Sequence, residues 1–306
     1  MRVGAGCLTL KGSRASIEWM LRHPIGPIRP FRTVLRYLCW QVRSRMTRGP
    51  HVVPFANATR VLVDRHEHGT TANIYVGLRE FESMSFVMHG PPARGSLRDV
   101  GAHVGTFTVL AAAVPGANVV AVEPVPSTAG RLEANLRLNS CADAVELRTV
   151  AVGAASSRLR ITADQGPENR ILLPTSQQGH STTVADVLQL DDIVGGRAET
   201  IVKIDVEGFE GSVLTGATLL LKQEGLLGVI IETNGSGEAY GCSESRIFDL
   251  LSGAGFQMAN YDPWTRRLHD AGAMSTTENT LFVRPETELS RRLREAPPAH
   301  VVGVSV

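Results

Sequence analysis

The sequence predicts an α/β protein built on an open, mostly parallel β-sheet. From Val61 onward, short apolar runs alternate with helical stretches of about 10–15 residues, which is typical of parallel strands joined by right-handed crossovers. Hydrophobic residues make up 43% and charged residues 20% of the 306 positions, so the chain can bury a large core. No apolar run reaches the roughly 18 residues that a membrane-spanning helix needs. The sequence therefore predicts no transmembrane segment.

The first half of the sheet is predicted from short strand segments that end at a turn or at an acidic residue. The segments at 97–100 and 119–122 end at Gly101 and Glu123, and the helix after them has Ser127 as its expected N-cap. In chain order, the predicted elements are strands at 61–63, 73–76 and 97–100, a helix at 106–114, a strand at 119–122, a helix at 127–139 and a strand at 145–152.

The second half follows a polar stretch at 153–180 and repeats the pattern. The runs at 200–204 and 226–231 end at Asp205 and Glu232. The predicted elements are a helix at 183–190, a strand at 200–204, a helix at 211–223, a strand at 226–231, a helix at 245–252 and two strands at 256–261 and 280–283 that pair with each other.

The first 50 residues are strongly basic. They carry ten Lys or Arg and one acid, Glu18, which gives +9; because the whole chain has a net charge of +1, residues 51–306 total −8. Residues 32–46 fit an amphipathic helix, with Val34, Leu35, Leu38 and Val42 on one side and arginines on the other. Such a segment either lies on an anionic membrane surface or packs against the rest of the protein.

The cysteines predict a reducing compartment. Cys7, Cys39, Cys141 and Cys242 are widely separated, without the close spacing of a disulfide framework or a zinc site. We therefore expect a cytoplasmic protein that is at most peripheral to a membrane.

The turn at 101–105 is the strongest indication of a ligand site. Gly101 and Gly105 allow a sharp bend and a close approach of the backbone to a ligand after a buried strand. Glu123 follows Gly105 by 18 residues and ends the next strand, where a carboxylate can accept hydrogen bonds from both hydroxyls of a ribose. Together these residues predict a nucleoside-containing ligand.

The glycine spacing favours S-adenosylmethionine over a dinucleotide. The G-x-G-x-x-G pattern that accommodates a pyrophosphate is absent, and Asp99 stands where it would crowd a phosphate. A carboxylate at this point suits a ligand with a cationic amino-acid end. Two other classes of protein stay open, namely a nicotinamide-dependent oxidoreductase and a non-catalytic binding protein that docks through its basic segment.

Several motifs resemble those of the FkbM-type family of S-adenosylmethionine-dependent methyltransferases. The resemblance covers residues 73–284, and the segment at 203–210 is its most distinctive part. The matching segments are 75–82 (YVGLREFE), 99–105 (DVGAHVG), 122–126 (VEPVP), 151–153 (AVG) and 203–210 (KIDVEGFE), with weaker matches at 183–188 and 279–283. His103 departs from the family, which commonly has Asn at this place in the turn.

The resemblance implies a class I methyltransferase fold, which is a Rossmann-like, seven-stranded, mostly parallel sheet with a C-terminal antiparallel hairpin. Together with the change of sequence pattern near residue 55, it predicts a basic helical N-terminal extension at 1–55, a methyltransferase domain at 56–290 and a C-terminal tail at 291–306. It implies O-methylation of a hydroxyl on a sugar, a glycolipid or a secondary metabolite. The implied cofactor-binding residues are Glu82, Asp99, Gly101, Ala102, His103, Gly105, Thr106, Glu123 and Pro124.

Methyl transfer to a neutral hydroxyl needs a base near the acceptor. Asp205 is the first choice because it follows the fourth strand, and Glu232 after the next strand is the second. Asp205, Glu232 and Asn234 would also offer oxygen ligands to Mg²⁺, as in catechol-type O-methyltransferases, although chemistry without a metal is favoured. A nucleic-acid substrate is not favoured, because aromatic residues make up only 5% of the chain and no amine-methylating motif is present.

Overall fold

A computed structural model describes residues 10–47, 49–65, 67–90, 95–173, 179–193, 199–271, 279–285 and 288–306. The first elements are α1 (Leu10–Arg22), α2 (Pro30–Met46), β1 (His51–Pro54), β2 (Arg60–Val63), α3 (His68–Val76) and α4 (Phe81–His89). The middle of the chain forms β3 (Ser96–Val100), α5 (Thr106–Ala112), β4 (Asn118–Val122), α6 (Pro126–Leu138), β5 (Val145–Arg148), β6 (Ala151–Val152), β7 (Ser157–Thr162), β8 (Thr182–Leu188) and α7 (Leu190–Ile193). The last part forms β9 (Thr200–Ile204), α8 (Glu210–Thr215), β10 (Leu226–Glu232), α9 (Glu244–Gly253), β11 (Gln257–Asp262), β12 (Arg267–Asp270), β13 (Asn279–Val283), α10 (Glu288–Glu295), β14 (His300–Val301) and β15 (Val304–Ser305).

The central sheet has the strand order β12-β11-β13-β10-β9-β3-β4-β5. Strands β5, β4, β3, β9 and β10 run parallel, β13 is antiparallel to β10, and β11 is antiparallel to β13. The chain moves outward from β3 to β5 and then returns to β9, so the strand order reverses between β3 and β9. Ligands of open α/β sheets bind at such a reversal, beyond the carboxyl ends of the strands.

The parallel strands form because they are buried on both faces. Every residue of β3 and β9 is buried, as expected of strands that have helices on either side. Alternate strand residues enter two cores. Leu97 and Ile201 pack with residues of α2, α4 and α10, whereas Val100 and Val202 pack with residues of α8 and α9.

The α/β fold is confirmed, but the sheet has eight strands instead of the predicted seven. The additional strand, β12, lies at the edge beside β11 and exposes most of its residues, so it has no apolar run that sequence reasoning could recognise. The predicted pairing of the strands near 256–261 and 280–283 is present as β11 and β13.

Two other elements differ in type from their predictions. Residues 73–76 belong to helix α3, which ends at Gly77 with a φ of 85°, and do not form a strand. Residues 182–188 form strand β8, not a helix, and pair with β7 and β6 in a separate three-stranded sheet. The β-branched Thr182, Thr183, Val184 and Val187 favour a strand at this place.

The N-terminal segment is packed onto the body of the protein. Met20, Tyr37 and Trp40 share a buried cluster with Phe86 and Leu97. The segment is helical through α1 and α2, but β1 pairs antiparallel with β2 across the predicted boundary at 55/56. The predicted tail at 291–306 is also ordered, with Leu293 and Val301 in the same cluster. Among the described helices, none is both long enough and apolar enough to cross a membrane.

Candidate active site

A cavity of about 1340 Å³ opens at the carboxyl ends of β3, β4, β9 and β10. This volume exceeds the roughly 300–1,000 Å³ of a pocket for one small ligand, so the cavity has room for more than one small molecule. Most of the predicted cofactor residues line it: Glu82, Gly101, Ala102, His103, Thr106, Glu123 and Pro124. The predicted catalytic and metal residues Asp205, Glu232 and Asn234 line it too.

The turn after β3 is fixed by Gly101. Its φ is +81°, and a Cβ built on it would lie 1.7 Å from the backbone oxygen of Asp205. Because side chains rarely adopt this conformation and no room exists for one, only glycine lets β3 and β9 end this close together. The amides of Gly101 and Ala102 both donate to the carbonyl of Val122, at 3.0 Å each, which ties the turn to β4.

Glu123 joins the turn to the next loop. Its two carboxylate oxygens accept hydrogen bonds from the amides of His103 and Val125, at 3.0 Å each. A carboxylate offers about four lone pairs, so the side chain can accept further hydrogen bonds from the cavity that it lines. Burial raises the pKa of Glu123 to about 7, against the opposing effect of the two amides.

His103 occupies the left-handed region of the backbone, with a φ of 50°. His and Asn are both enriched in this region, so the substitution of the family's usual Asn leaves the turn intact. Burial lowers the pKa of the imidazole to about 4, and the side chain is therefore neutral at physiological pH.

Asp99 and Gly105 were predicted to bind the cofactor, but neither lines the cavity in the structure. Asp99 is fully buried, and its Oδ2 accepts a hydrogen bond of 2.6 Å from Thr108 of α5. The helix begins directly after the turn and carries Thr108 back over β3, so the carboxylate lies behind the turn. Gly105 has a φ of +86°, and a Cβ there would lie 2.8 Å from Leu132. Both residues therefore shape the turn, and their contact with the cofactor stays a prediction.

A buried ion pair lies at the end of β9. Lys203 is buried, and its Nζ donates to Asp205 Oδ2 at 2.8 Å while lying 4.7 Å from the centre of the Phe107 ring. Lys203 pairs with Asp99 in the register of β3 and β9, so it lies between two carboxylates. These contacts orient the Asp205 side chain at the floor of the cavity.

Asp205, Glu207 and Glu232 form a carboxylate cluster, with one oxygen of each within 4.8 Å of the others. Burial and the neighbouring carboxylates raise the pKa of Glu207 to about 7 and that of Glu232 to about 9. Glu232 Oε2 is buried and has no hydrogen-bond partner among the described residues. The cluster is therefore able to bind or exchange protons near neutral pH.

Glu207 is a cavity residue that the sequence did not reveal. Glu207 and Glu210 both follow β9, and the structure gives them different surroundings. Glu210 is buried and accepts from the amides of Val206 and Gly208, so it anchors the loop. Glu207 lies in that loop with a φ of 55°, which turns it into the cavity. Its position two residues after Asp205 was the available signal.

The N-terminal helices form the far wall of the cavity. Trp19 of α1, His23 directly after α1, and Tyr37 and Trp40 of α2 line this wall. Sequence reasoning left this wall unassigned, because the packing of α1 and α2 depends on contacts distant in the chain.

The sheet order, the glycine turn after β3 and the acid after β4 define the fold of the class I methyltransferases. The family model described as the methyltransferase FkbM domain matches residues 99–258, which is just over half of the chain. The chain belongs to this family.

Several solved structures resemble the fold at low identity. A precorrin-6y C5,15-methyltransferase from Geobacter metallireducens is 12% identical, with a TM-score of 0.38 and coverage of 67% of this chain and 87% of that one. An rRNA methylase from Streptococcus thermophilus is 13% identical (TM-score 0.37, coverage 65% and 91%). An S-adenosylmethionine-dependent O-methyltransferase from Thermotoga maritima is 10% identical (TM-score 0.38, coverage 77% and 77%). No curated protein matches the chain.

Proposed function

We propose that this protein transfers a methyl group from S-adenosylmethionine to a hydroxyl of a sugar, glycolipid or other polyhydroxylated metabolite. The observation that carries the proposal is one cavity that is lined by the glycine turn, by Glu123 and by the carboxylate cluster. When bound, S-adenosylmethionine supplies an electrophilic methyl group on its sulfonium sulfur. The protein's own residues must then hold both reactants in line and remove the hydroxyl proton.

The residues around the turn fit the cofactor. Glu123 has lone pairs left to accept from the two ribose hydroxyls, and Gly101 and Ala102 of the turn line the same cavity. The sulfonium carries a positive charge, which the oxygen atoms of the carboxylate cluster can face. A neutral His103 in the same wall adds no positive charge that would repel it.

We assign the proton transfer to Asp205. Lys203 donates to Asp205 Oδ2, which leaves the other carboxylate oxygen to accept the hydroxyl proton as the oxygen–methyl bond forms. The proton leaves the acceptor oxygen for this carboxylate, and the electron pair of the breaking carbon–sulfur bond stays on sulfur. The raised pKa of Glu232 keeps this side chain protonated at neutral pH, so that it can donate a hydrogen bond to an acceptor oxygen.

The same carboxylates could instead bind a divalent cation, which would assist the methyl transfer. Asp205, Glu207 and Glu232 provide the hard oxygen ligands that Mg²⁺ prefers, and Asn234 lines the same cavity. Metal-independent transfer is favoured because the buried Lys203 ammonium, 2.8 Å from Asp205, already occupies the cluster with a positive charge.

The test is release of S-adenosylhomocysteine from S-adenosylmethionine in the presence of pooled sugars, glycolipids and hydroxylated metabolites, with and without EDTA. We expect turnover that EDTA leaves unchanged. Asp205→Asn is expected to lose about 10²–10⁴-fold in kcat, whereas Asp249→Asn, an exposed acid on α9, is expected to retain activity. Full activity of Asp205→Asn would refute its role as the base, and loss of turnover in EDTA would establish the metal-assisted route.

A further inference from the structure

Helix α2 has two apolar sides, only one of which is used by the fold. Its inner side packs Thr33, Tyr37, Trp40 and Ser44 into the protein. Its outer side exposes five large apolar side chains at successive spacings of four, three, four and four residues. These are Phe31 (89% exposed), Leu35 (58%), Leu38 (50%), Val42 (58%) and Met46 (78%).

The exposed side forms one continuous stripe along the helix axis. Residues at this spacing lie on one face of an α-helix, and a stripe of this length exceeds the scattered apolar residues of an ordinary surface. Ile28, just before α2, is also exposed, at 49%. No described element covers the stripe. Exposed apolar area of this extent marks a surface that binds something.

The charge around the stripe indicates what binds. Arg32 and Arg43 border one edge of the stripe and Arg45 borders the other, and all three are exposed. Helix α2 contains no Asp or Glu, and the first 50 residues carry ten basic residues against one acid. An apolar centre bordered by guanidinium groups complements an anionic bilayer, where the apolar side chains enter the acyl boundary and the arginines reach the phosphates.

We propose that the outer face of α2 docks this protein onto a membrane surface that contains anionic lipid. The occupant is the bilayer itself, and the helix lies in the plane of the interface without crossing it. The stripe is rigidly attached to the body, because Arg36 donates from Nε and Nη2 to the carbonyl of Tyr75 in α3, at 2.9 and 2.6 Å. Docking therefore orients the whole protein.

The same helix connects the membrane face with the cavity. Tyr37 and Trp40, on its inner side, line the cavity, so the docked protein holds its cavity one helix diameter from the bilayer. We infer that the acceptor hydroxyl is carried by a membrane lipid, with the apolar part of the molecule passing the aromatic wall of α1 and α2. This inference about the acceptor rests on the proposed function, whereas the docking does not.

The experiment is co-sedimentation of the full chain with vesicles of phosphatidylcholine containing about 30% phosphatidylglycerol, compared with phosphatidylcholine alone. We expect binding to the anionic vesicles only. The double variant Leu35→Glu/Leu38→Glu is expected to lose at least about tenfold in its partition coefficient. The double variant Arg32→Gln/Arg43→Gln is expected to lose about tenfold, and high salt should weaken the binding that remains. Leu219→Glu, which replaces an exposed leucine away from α2, is the matched control and should bind like the wild type.

Titration of the same variants with S-adenosylmethionine separates the two proposals. Retained cofactor binding in Leu35→Glu/Leu38→Glu together with lost vesicle binding supports docking through α2. Equal binding to both vesicles, no binding to either, or unchanged binding by the double variant would overturn the proposal. A wild-type dimer in sedimentation velocity that the double variant converts to a monomer, without vesicle binding, would show instead that the stripe joins two copies of the chain.

Discussion

Replacing Glu207 with glutamine is expected to stabilise the protein at neutral and alkaline pH. Burial and the charges of Asp205, Glu210 and Glu168 raise the pKa of Glu207 from 4.5 to about 7. The folded protein thus binds this proton more tightly than the unfolded chain does. The stability of the protein therefore falls as the pH rises from the pKa of Glu207 in the unfolded chain to its pKa in the folded protein. Glutamine keeps the shape of the side chain and removes the charge.

The magnitude follows from the difference between the two pKa values. A shift of this size corresponds to about 3.4 kcal/mol at 1.36 kcal/mol per unit, and partial exposure to solvent reduces the expected gain to about 1.5 kcal/mol. For a chain of this length, that gain raises the melting temperature by about 3 °C. Below about pH 4 the glutamate is protonated in both states, so the gain should vanish.

Thermal unfolding monitored by circular dichroism between about pH 4 and pH 8 measures this difference. The variant Glu224→Gln, at an exposed glutamate outside the cavity, is the control and should melt like the wild type at every pH. A variant Glu207→Gln that is equally stable or less stable at about pH 8 would refute the reasoning that Glu207 lies in a buried, repulsive cluster.

Three further predictions concern the glycine turn. Gly101→Ala should lower the melting temperature by many degrees, because its Cβ would collide with the Asp205 carbonyl. The control Gly130→Ala in α6, where a Cβ would have nothing within 4 Å, should raise the free energy of unfolding by about 0.5–1 kcal/mol. Equal melting temperatures of the two variants would contradict this prediction. His103→Asn should fold and should bind S-adenosylmethionine with an affinity within about threefold of the wild type, because both residue types tolerate the positive φ. Loss of binding in a calorimetric titration would show instead that the imidazole makes a specific contact with the ligand. Because the pKa of Glu123 is about 7, its ionised fraction rises about tenfold between pH 6 and 8, and the affinity for S-adenosylmethionine should rise by up to the same factor in the wild type and in His103→Asn. An unchanged affinity would show that Glu123 does not bind the ligand in its ionised form.

The sequence predicts those parts of the fold that local patterns determine. The strands β3, β4, β9 and β10 are buried, and a residue that lines the cavity stands at or directly after the end of each one. Gly101, Glu123, Asp205 and Glu232 were therefore predictable, because the carboxyl ends of parallel strands meet at one edge of the sheet. Helix α2 was predictable from another local pattern, the helical spacing of its apolar residues.

The elements that the sequence did not predict depend on contacts distant in the chain. Strand β12 exists because β11 offers it an edge, and α3 is a helix although its residues 73–76 are apolar enough for a strand. Asp99 looks like a ligand-binding acid in sequence, and only the return of Thr108 over β3 shows that it lies behind the turn. The aromatic wall of α1 and α2 likewise follows from tertiary packing.

The central claim is that Glu123 and the glycine turn form a site for S-adenosylmethionine. Isothermal titration calorimetry of the wild type and of Glu123→Gln with S-adenosylmethionine, S-adenosylhomocysteine and NADH tests it most directly, with Glu224→Gln as control and melting temperatures to verify folding. We expect micromolar binding of the first two ligands, weakened about 10–100-fold in folded Glu123→Gln, and no binding of NADH. Absence of binding by the wild type, equal affinity in the variant, or binding of NADH alone would contradict the account.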